Sequence, residues 1–178
     1  MRLKDEVSRV LTAMGFYEIM NYSFVSPKSL DKLNLPAEDE RRNQLPIRNP
    51  LGEDTSVMRT TLVPDMLSTL ALNMNHGNEA ARLYEVAAVF DPANRTAENL
   101  PTETRKLCLG MYGKEADFFT MRGIVERLLR QMGVDVSILR SGEVYLHPGR
   151  QAKLMHSDKV VCVLGEVHPD VRENFDMP

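Results

Sequence analysis

Tryptophan is absent from this 178-residue chain, and cysteine occurs only twice. Two cysteines cannot build the disulfide framework that staples small secreted domains, and a zinc site needs more ligands at closer spacing. Cys108 and Cys162 each sit in an apolar run, LCLGMY and VVCVLG, which reads as a buried thiol and points to a reducing compartment. No apolar stretch is long enough to cross a bilayer. Arg2, Lys4, Asp5, Glu6 and Arg9 interrupt any apolar run at the start, against a signal peptide. The expected location is the cytoplasm. There is no phosphate-cradling glycine run, no metal-ligand cluster and no nucleophile motif, and His147, His156 and His168 are too scattered to predict zinc. An excess of positive charge is missing too. Lys and Arg total 22 against 25 Asp and Glu, a net charge of −3, which argues against a basic nucleic-acid footprint.

What is present is a 43% hydrophobic fraction, enough for one compact domain with its own core, and eleven methionines suited to an adaptable core or interface. Leu3, Val7, Val10, Leu11 and Met14 recur at helical spacing and predict a helix over 2–14, stopped by Gly15. A strand should follow from Phe16 to Phe24, with Met20, Tyr22 and Phe24 on one side and Asn21 and Ser23 on the other. Ser26-Pro27 reads as a cap and first turn of a short helix that ends by Leu35-Pro36. Residues 36–46 read as a solvated polar loop, and 47–61 as an ordered loop without regular period. Leu62, Met66, Leu70 and Met74 predict a second helix, capped by Thr60 or Thr61 and closed at Asn75-His76-Gly77.

RLYEVAAVF at 82–90 is the strongest strand signal, apolar on both faces, and pairs antiparallel with 105–112 across a polar loop that starts at Asp91-Pro92. Asp117 caps a third helix whose Gly123 suggests close approach of another backbone. Strands are expected at 134–140, 143–146, 151–156 and 159–165, with Ser157-Asp158 as a hairpin turn and a short helix near His168-Pro169. Successive strands look linked by hairpins as often as by helices, so an α+β fold with an antiparallel or mixed sheet is expected.

Three polar groups stand out. Arg48, Asn49, Asp54, Thr55, Ser56 and Arg59 crowd RNPLGEDTSVMRTT at 48–61; Asp54 can accept from local donors to fix a turn, and Arg59 can tie the loop to a carboxylate. Glu85 interrupts an apolar strand and needs a partner, with Arg48, Arg59 and Arg82 available, unless it faces water or marks a former substrate contact. His147-Pro148-Gly149-Arg150 reads as a rigid segment before a strand, with Gly149 free to take positive φ and Arg150 aimed across the sheet.

The order of GFYEIMNYSFVSP at 15–27, RNPLGEDTSVMRTTLVPDML at 48–67, RLYEVAAVF at 82–90, DFFTMRGIVERLL at 117–129, HPGRQA at 147–152 and LGEVHPDVRENF at 164–175 resembles the catalytic-like core module of the bacterial phenylalanyl-tRNA synthetase beta subunit. The resemblance covers nearly the full length. It implies a class II aminoacyl-tRNA synthetase fold, an antiparallel or mixed sheet flanked by helices, and residues 1–178 as a single, truncated module of a larger subunit. It implies that residues 3–24 form the helix-and-strand element that builds the subunit interface. It also implies that the chain is noncatalytic and supports an alpha subunit that handles ATP and phenylalanine. The parent would hold two alpha and two beta subunits, with tRNA, ATP and magnesium bound there and no cofactor bound by this module. Active copies carry an arginine just after the first strand of the 82–112 element, where this sequence has Asp91. A carboxylate there repels a triphosphate and donates nothing, so Arg95 or Arg105 would have to replace it. The alternatives are a tRNA-binding module and an autonomous class II synthetase-like paralogue. Arg48, Asn49, Asp54, Arg59, Glu85, Asp91, His147 and Arg150 are therefore expected as structural or interface residues, with no catalytic residue and no metal site.

Overall fold

The computed structural model describes residues 3–91 and 100–177. The polar loop beginning at Pro92, including Arg95, and Arg2 at the start lie outside them.

The first helix, α1 (Leu3–Ala13), ends where the apolar stripe runs out. Gly15 takes φ +82°, and the amides of Gly15 and Phe16 turn back onto the carbonyls of Thr12 and Leu11, which closes the helix and drops Phe16 into the core. The single strand expected over 16–24 does not form. Only β1 (Tyr17–Glu18) and β2 (Phe24–Val25) are strands, and they belong to different sheets. Ser26 then accepts a hydrogen bond from the Lys28 amide and starts a 3-10 helix, Pro27–Leu33, that ends on left-handed Asn34. The stretch at 36–46 is not simply solvated loop. It holds a 3-10 turn, Glu40–Arg42, and β3 (Leu45–Pro46). The 47–61 loop is ordered and contains another 3-10 turn, Glu53–Thr55, and β4 (Val57–Met58).

Helix α2 (Val63–Asn75) opens with Pro64 in its first turn. The N-cap position falls on Leu62, whose side chain makes no capping hydrogen bond, so neither Thr60 nor Thr61 is the cap expected from sequence; the Val63 amide only reaches Thr61 Oγ1 at a long 3.4 Å. Strand β5 (Ala81–Asp91) and strand β6 (Thr102–Tyr112) form an unbroken antiparallel ladder from Ala81–Tyr112 to Asp91–Thr102. Both faces of this pair are covered. Leu83, Cys108 and Tyr112 join Met66, Leu67 and Leu70 of α2 in one core cluster. Tyr84, Val86, Leu109 and Met111 pack on the other face against Val10 and Leu11 of α1. Gly110 allows the α2 side to sit close, because a Cβ there would stand 2.7 Å from Leu70 Cδ1 and 2.8 Å from Met66 Cγ.

Asp117 accepts from the Thr120 amide at 2.6 Å and caps α3 (Phe118–Gln131), which contributes Leu128 to the α1 side of the core. Gly123 has nothing within 4 Å of a Cβ position, so no backbone approaches it and that expectation falls. Strands β7 (Ser137–Arg140), β8 (Leu146–His156) and β9 (Lys159–Val167) form an antiparallel sheet. Ser157 and Asp158, at φ +47° and +65°, make the tight turn between the last two. The two strands expected at 143–146 and 151–156 are replaced by the single β8, which runs through His147-Pro148-Gly149-Arg150. Helix α4 (Pro169–Asn174) follows and seats Val171 in the α2 cluster, with Phe175 just beyond it.

Among the described residues the strands form three sheets of three, ordered β1-β5-β6, β2-β4-β3 and β7-β8-β9, rather than one continuous sheet. Only β1–β5 is parallel. The class is mixed α+β, with helices on both faces of β5–β6.

Candidate functional site

Glu85 is 1% exposed in the middle of β5, and a carboxylate so placed must have donors. Of the three arginines considered from sequence, Arg59 meets it, with Nη1 at 3.1 Å from Oε1. Arg59 is itself 2% exposed. The same Nη1 lies 3.2 Å from Asp65 Oδ2 on α2, and Nε donates to the Ala88 carbonyl at 3.1 Å. Asn21 completes the group. Its backbone amide donates to Glu85 Oε1 and its side-chain amide to Oε2, both at 3.1 Å, while Thr69 donates to its Oδ1 at 3.3 Å. Three segments far apart in sequence, around Asn21, Arg59 and Glu85, therefore meet at one carboxylate, and Arg59 ties α2 to them through Asp65. Burial is the main influence on Asp65 and holds its carboxyl above the usual range, opposed by the Arg59 contact and reinforced by the neighbouring Glu85 charge.

Arg59 also replaces a strand along the edge of β5. Its amide donates to the Ser23 carbonyl, and its carbonyl accepts from the Phe90 amide, both at 3.0 Å. With Nε on Ala88, a single residue meets backbone groups of both Ala88 and Phe90 on the edge that β1 leaves open after Tyr84.

The other sequence-nominated residues do not join this group. Arg48, Asn49 and Asp54 are exposed. Asp54 is not the acceptor that fixes the turn. Thr55 and Ser56 donate instead to the backbone carbonyls of Gly52 and Glu53, because the 3-10 turn brings those oxygens under the hydroxyls. Asp91 is exposed at the end of β5, opposite Thr102. His147-Pro148-Gly149-Arg150 bulges from β8. Leu146 pairs with Val167 and Gln151 with Gly165, so four residues stand opposite one. Gly149 does not take positive φ there. It donates its amide to His147 Nδ1 at 3.1 Å, and Arg150 pairs with Glu166 at 2.7 Å. The bulge needs Gly165 opposite, where a Cβ would come within 2.8 Å of the Arg150 carbonyl.

Sequence reasoning missed a second cluster. Arg41 forks onto Asp39, with Nε and Nη2 each at 2.8 Å from one oxygen, and sends Nη1 to Glu143 at 3.0 Å. Its guanidinium lies 5.5 Å from the centroid of the Tyr145 ring. The Arg41 hydrogen bond draws Asp39 down to about 2 and raises Arg41 in turn. The available signal was Asp39 at the cap position before Glu40–Arg42.

The chemistry open to these groups is narrow. Burial pushes the Cys108 thiol up to about 12 and the Cys162 thiol up to about 11, far from a reactive thiolate. No group of three His, Cys, Asp or Glu among the described residues could hold a metal ion. The crevice between Gln44, Arg59, Thr60 and Asp65 does not admit a water molecule. A cleft of about 480 Å³ opens elsewhere, between Lys4 and the β5–β6 pair, lined by Val86, Ala87, Ala88, Glu103 and Arg105. Its charges are of both signs, and Lys4 is already bonded to Glu18 at 3.1 Å.

Residues 1–178 match the family described as the phenylalanyl tRNA synthetase beta chain CLM domain. The chain belongs to this family. It is 44% identical over 178 residues to a Clostridium acetobutylicum protein named phenylalanine–tRNA ligase beta subunit, and 40% identical over 177 residues to the Clostridium tetani protein of the same name. The alignments cover 99% and 98% of this chain but 22% of each relative, so the chain spans about a fifth of the length of the curated proteins it matches. Among solved structures it resembles a pyrrolysyl tRNA synthetase from Desulfitobacterium hafniense, with a TM-score of 0.76 over 98% of this chain and 61% of that one, at 15% sequence identity. The fold is thus class II synthetase-like, and in this CLM-family member β5 carries a closed ion cluster.

Proposed function

We propose that this chain is a noncatalytic structural module of the phenylalanine–tRNA ligase beta subunit and that it supports assembly with the alpha subunit that charges tRNA with phenylalanine. One observation carries the reading: the polar side chains gathered on β5 bond to one another and not to an open cavity. Glu85, Arg59 and Asn21 use their donors and acceptors internally. Asp91 supports the same reading, since the family resemblance puts a phosphate-binding arginine at that place in active copies. In this reading ATP, magnesium and the reacting phenylalanine bind elsewhere in a cytoplasmic complex of two alpha and two beta subunits. No helix among the described residues is long and apolar enough to cross a membrane.

The surface offered for assembly is the segment after α1. Tyr17, Met20 and Tyr22 are 74%, 89% and 82% exposed, and Phe24 is exposed as well. Aromatic and methionine side chains clustered on a surface are the composition of an interface core. The test is phenylalanine-dependent exchange of pyrophosphate into ATP by the full-length beta subunit carrying this segment. Exchange is expected only after the alpha subunit is added; exchange by the beta subunit alone overturns the proposal.

A further inference from the structure

The parallel ladder between β1 and β5 stops early, and the place where it stops is informative. Tyr17 pairs with Leu83, Glu18 with Tyr84, and the Ile19 amide still donates to the Tyr84 carbonyl at 2.8 Å. In an uninterrupted parallel ladder the next acceptor, for the Asn21 amide, is the Val86 carbonyl. The Asn21 amide instead donates to Glu85 Oε1. The carboxylate thus stands in for a backbone carbonyl.

This substitution decides where two large side chains go. Alternation along a strand places Ile19 on the Leu83 and Glu85 side, and Ile19 does pack with the α2 cluster. It places Glu18 on the Tyr84 side, where the Tyr84 hydroxyl meets Glu18 Oε2 at 3.3 Å. Continued in register, Met20 and Tyr22 would fall on that same side, beside Val86 and beneath α1. With Asn21 held by a side chain, the segment leaves the sheet and both residues face outward.

We infer that Glu85, fixed by Arg59, is a positioning residue that presents Met20 and Tyr22 to the alpha subunit by ending the β1–β5 ladder. This rests on the reading of residues 17–24 as the alpha-facing surface. The buried pair then has a role that an apolar pair of the same volume does not reproduce, even where such a pair preserves stability.

The test uses the full-length beta subunit and its alpha partner. In free wild-type beta subunit, the Asn21 amide is expected to exchange with solvent as slowly as the core amides of β5, and the Tyr22 amide quickly. Equal, fast exchange at both overturns the inference without any variant. Met20→Ala with Tyr22→Ala is expected to weaken alpha–beta association by about tenfold or more; unchanged association removes the interface reading itself. Glu85→Gln, which keeps an acceptor for the Asn21 amide, is expected to assemble within about twofold of wild type. Arg59→Met with Glu85→Leu, which removes both charges together, is expected to melt cooperatively yet associate about tenfold more weakly. Wild-type association by a folded double variant, when the Met20 and Tyr22 changes do weaken it, defeats the positioning role alone.

Discussion

Two arginines in this molecule each face two carboxylates, and the two clusters respond in opposite ways. Around Arg41 the oxygens are shared out: the fork of Nε and Nη2 takes Asp39 and the remaining nitrogen takes Glu143. The Arg41 side chain is 28% exposed, and Asp39 is drawn to about 2. Around Arg59 one nitrogen serves both Asp65 and Glu85, in a site where the Arg59 side chain is 3% exposed. There Asp65 is pushed up by burial, against the pull of the arginine. The same ratio of charges therefore gives a well-ionised surface clamp in one place and a crowded buried joint in the other. Donor geometry and water access, not charge count, set the difference.

The largest effect should come from breaking the buried joint. Arg59→Met leaves buried Glu85 without its cationic partner and is expected to cost about 3–5 kcal/mol in denaturant unfolding. Arg41→Met removes a partly solvated clamp, and a loss of about 1–3 kcal/mol is expected in the same assay. Comparable losses for the two would erase the distinction drawn between them.

A pH series sharpens it further, with smaller effects of opposite sign. Asp39 is lowered in the folded state, so its contribution is present above the ordinary carboxylate value of 3.8 and disappears as pH falls through about 2. Asp39→Asn should therefore be destabilising at neutral pH, with the deficit closing toward pH 2. Asp65 is raised, so its contribution is full below 3.8 and is lost as pH rises through its folded value. Asp65→Asn should gain relative to wild type at neutral pH and converge with it in acid. Chemical denaturation of both variants across pH gives the comparison. The smallest change belongs to the exposed pair on the β8 bulge, where Arg150→Ala is expected to shift unfolding by less than about 1 kcal/mol and serves as the surface reference.

The legible parts of the fold were those written in local pattern. The α3 helix follows from its Asp117 cap and apolar stripe, the β8–β9 turn from Ser157-Asp158, and β5–β6 from the strand runs at 82–90 and 105–112. The family was legible in the same way, from the order of motifs along the chain. The strand over 16–24 failed because what ends it, the Glu85 carboxylate, lies 64 residues from Asn21 in sequence. His147-Pro148-Gly149-Arg150 reads as a rigid segment before a strand because nothing local shows that Glu166 alone stands opposite all four residues. Residues 36–46 read as solvated loop because Glu143, which Arg41 meets, lies 102 residues further along the chain.

Amino-acid order alone thus settled the α+β class, most helix boundaries, the central hairpin and membership of the CLM family, because each depends on periodicity, caps or motif succession along the backbone. Tertiary structure alone settled which arginine neutralises Glu85, how β1 ends, and which side chains remain outside. Those outcomes depend on donors and acceptors that meet only after the chain has folded, and a buried charge takes the partner that geometry brings to it.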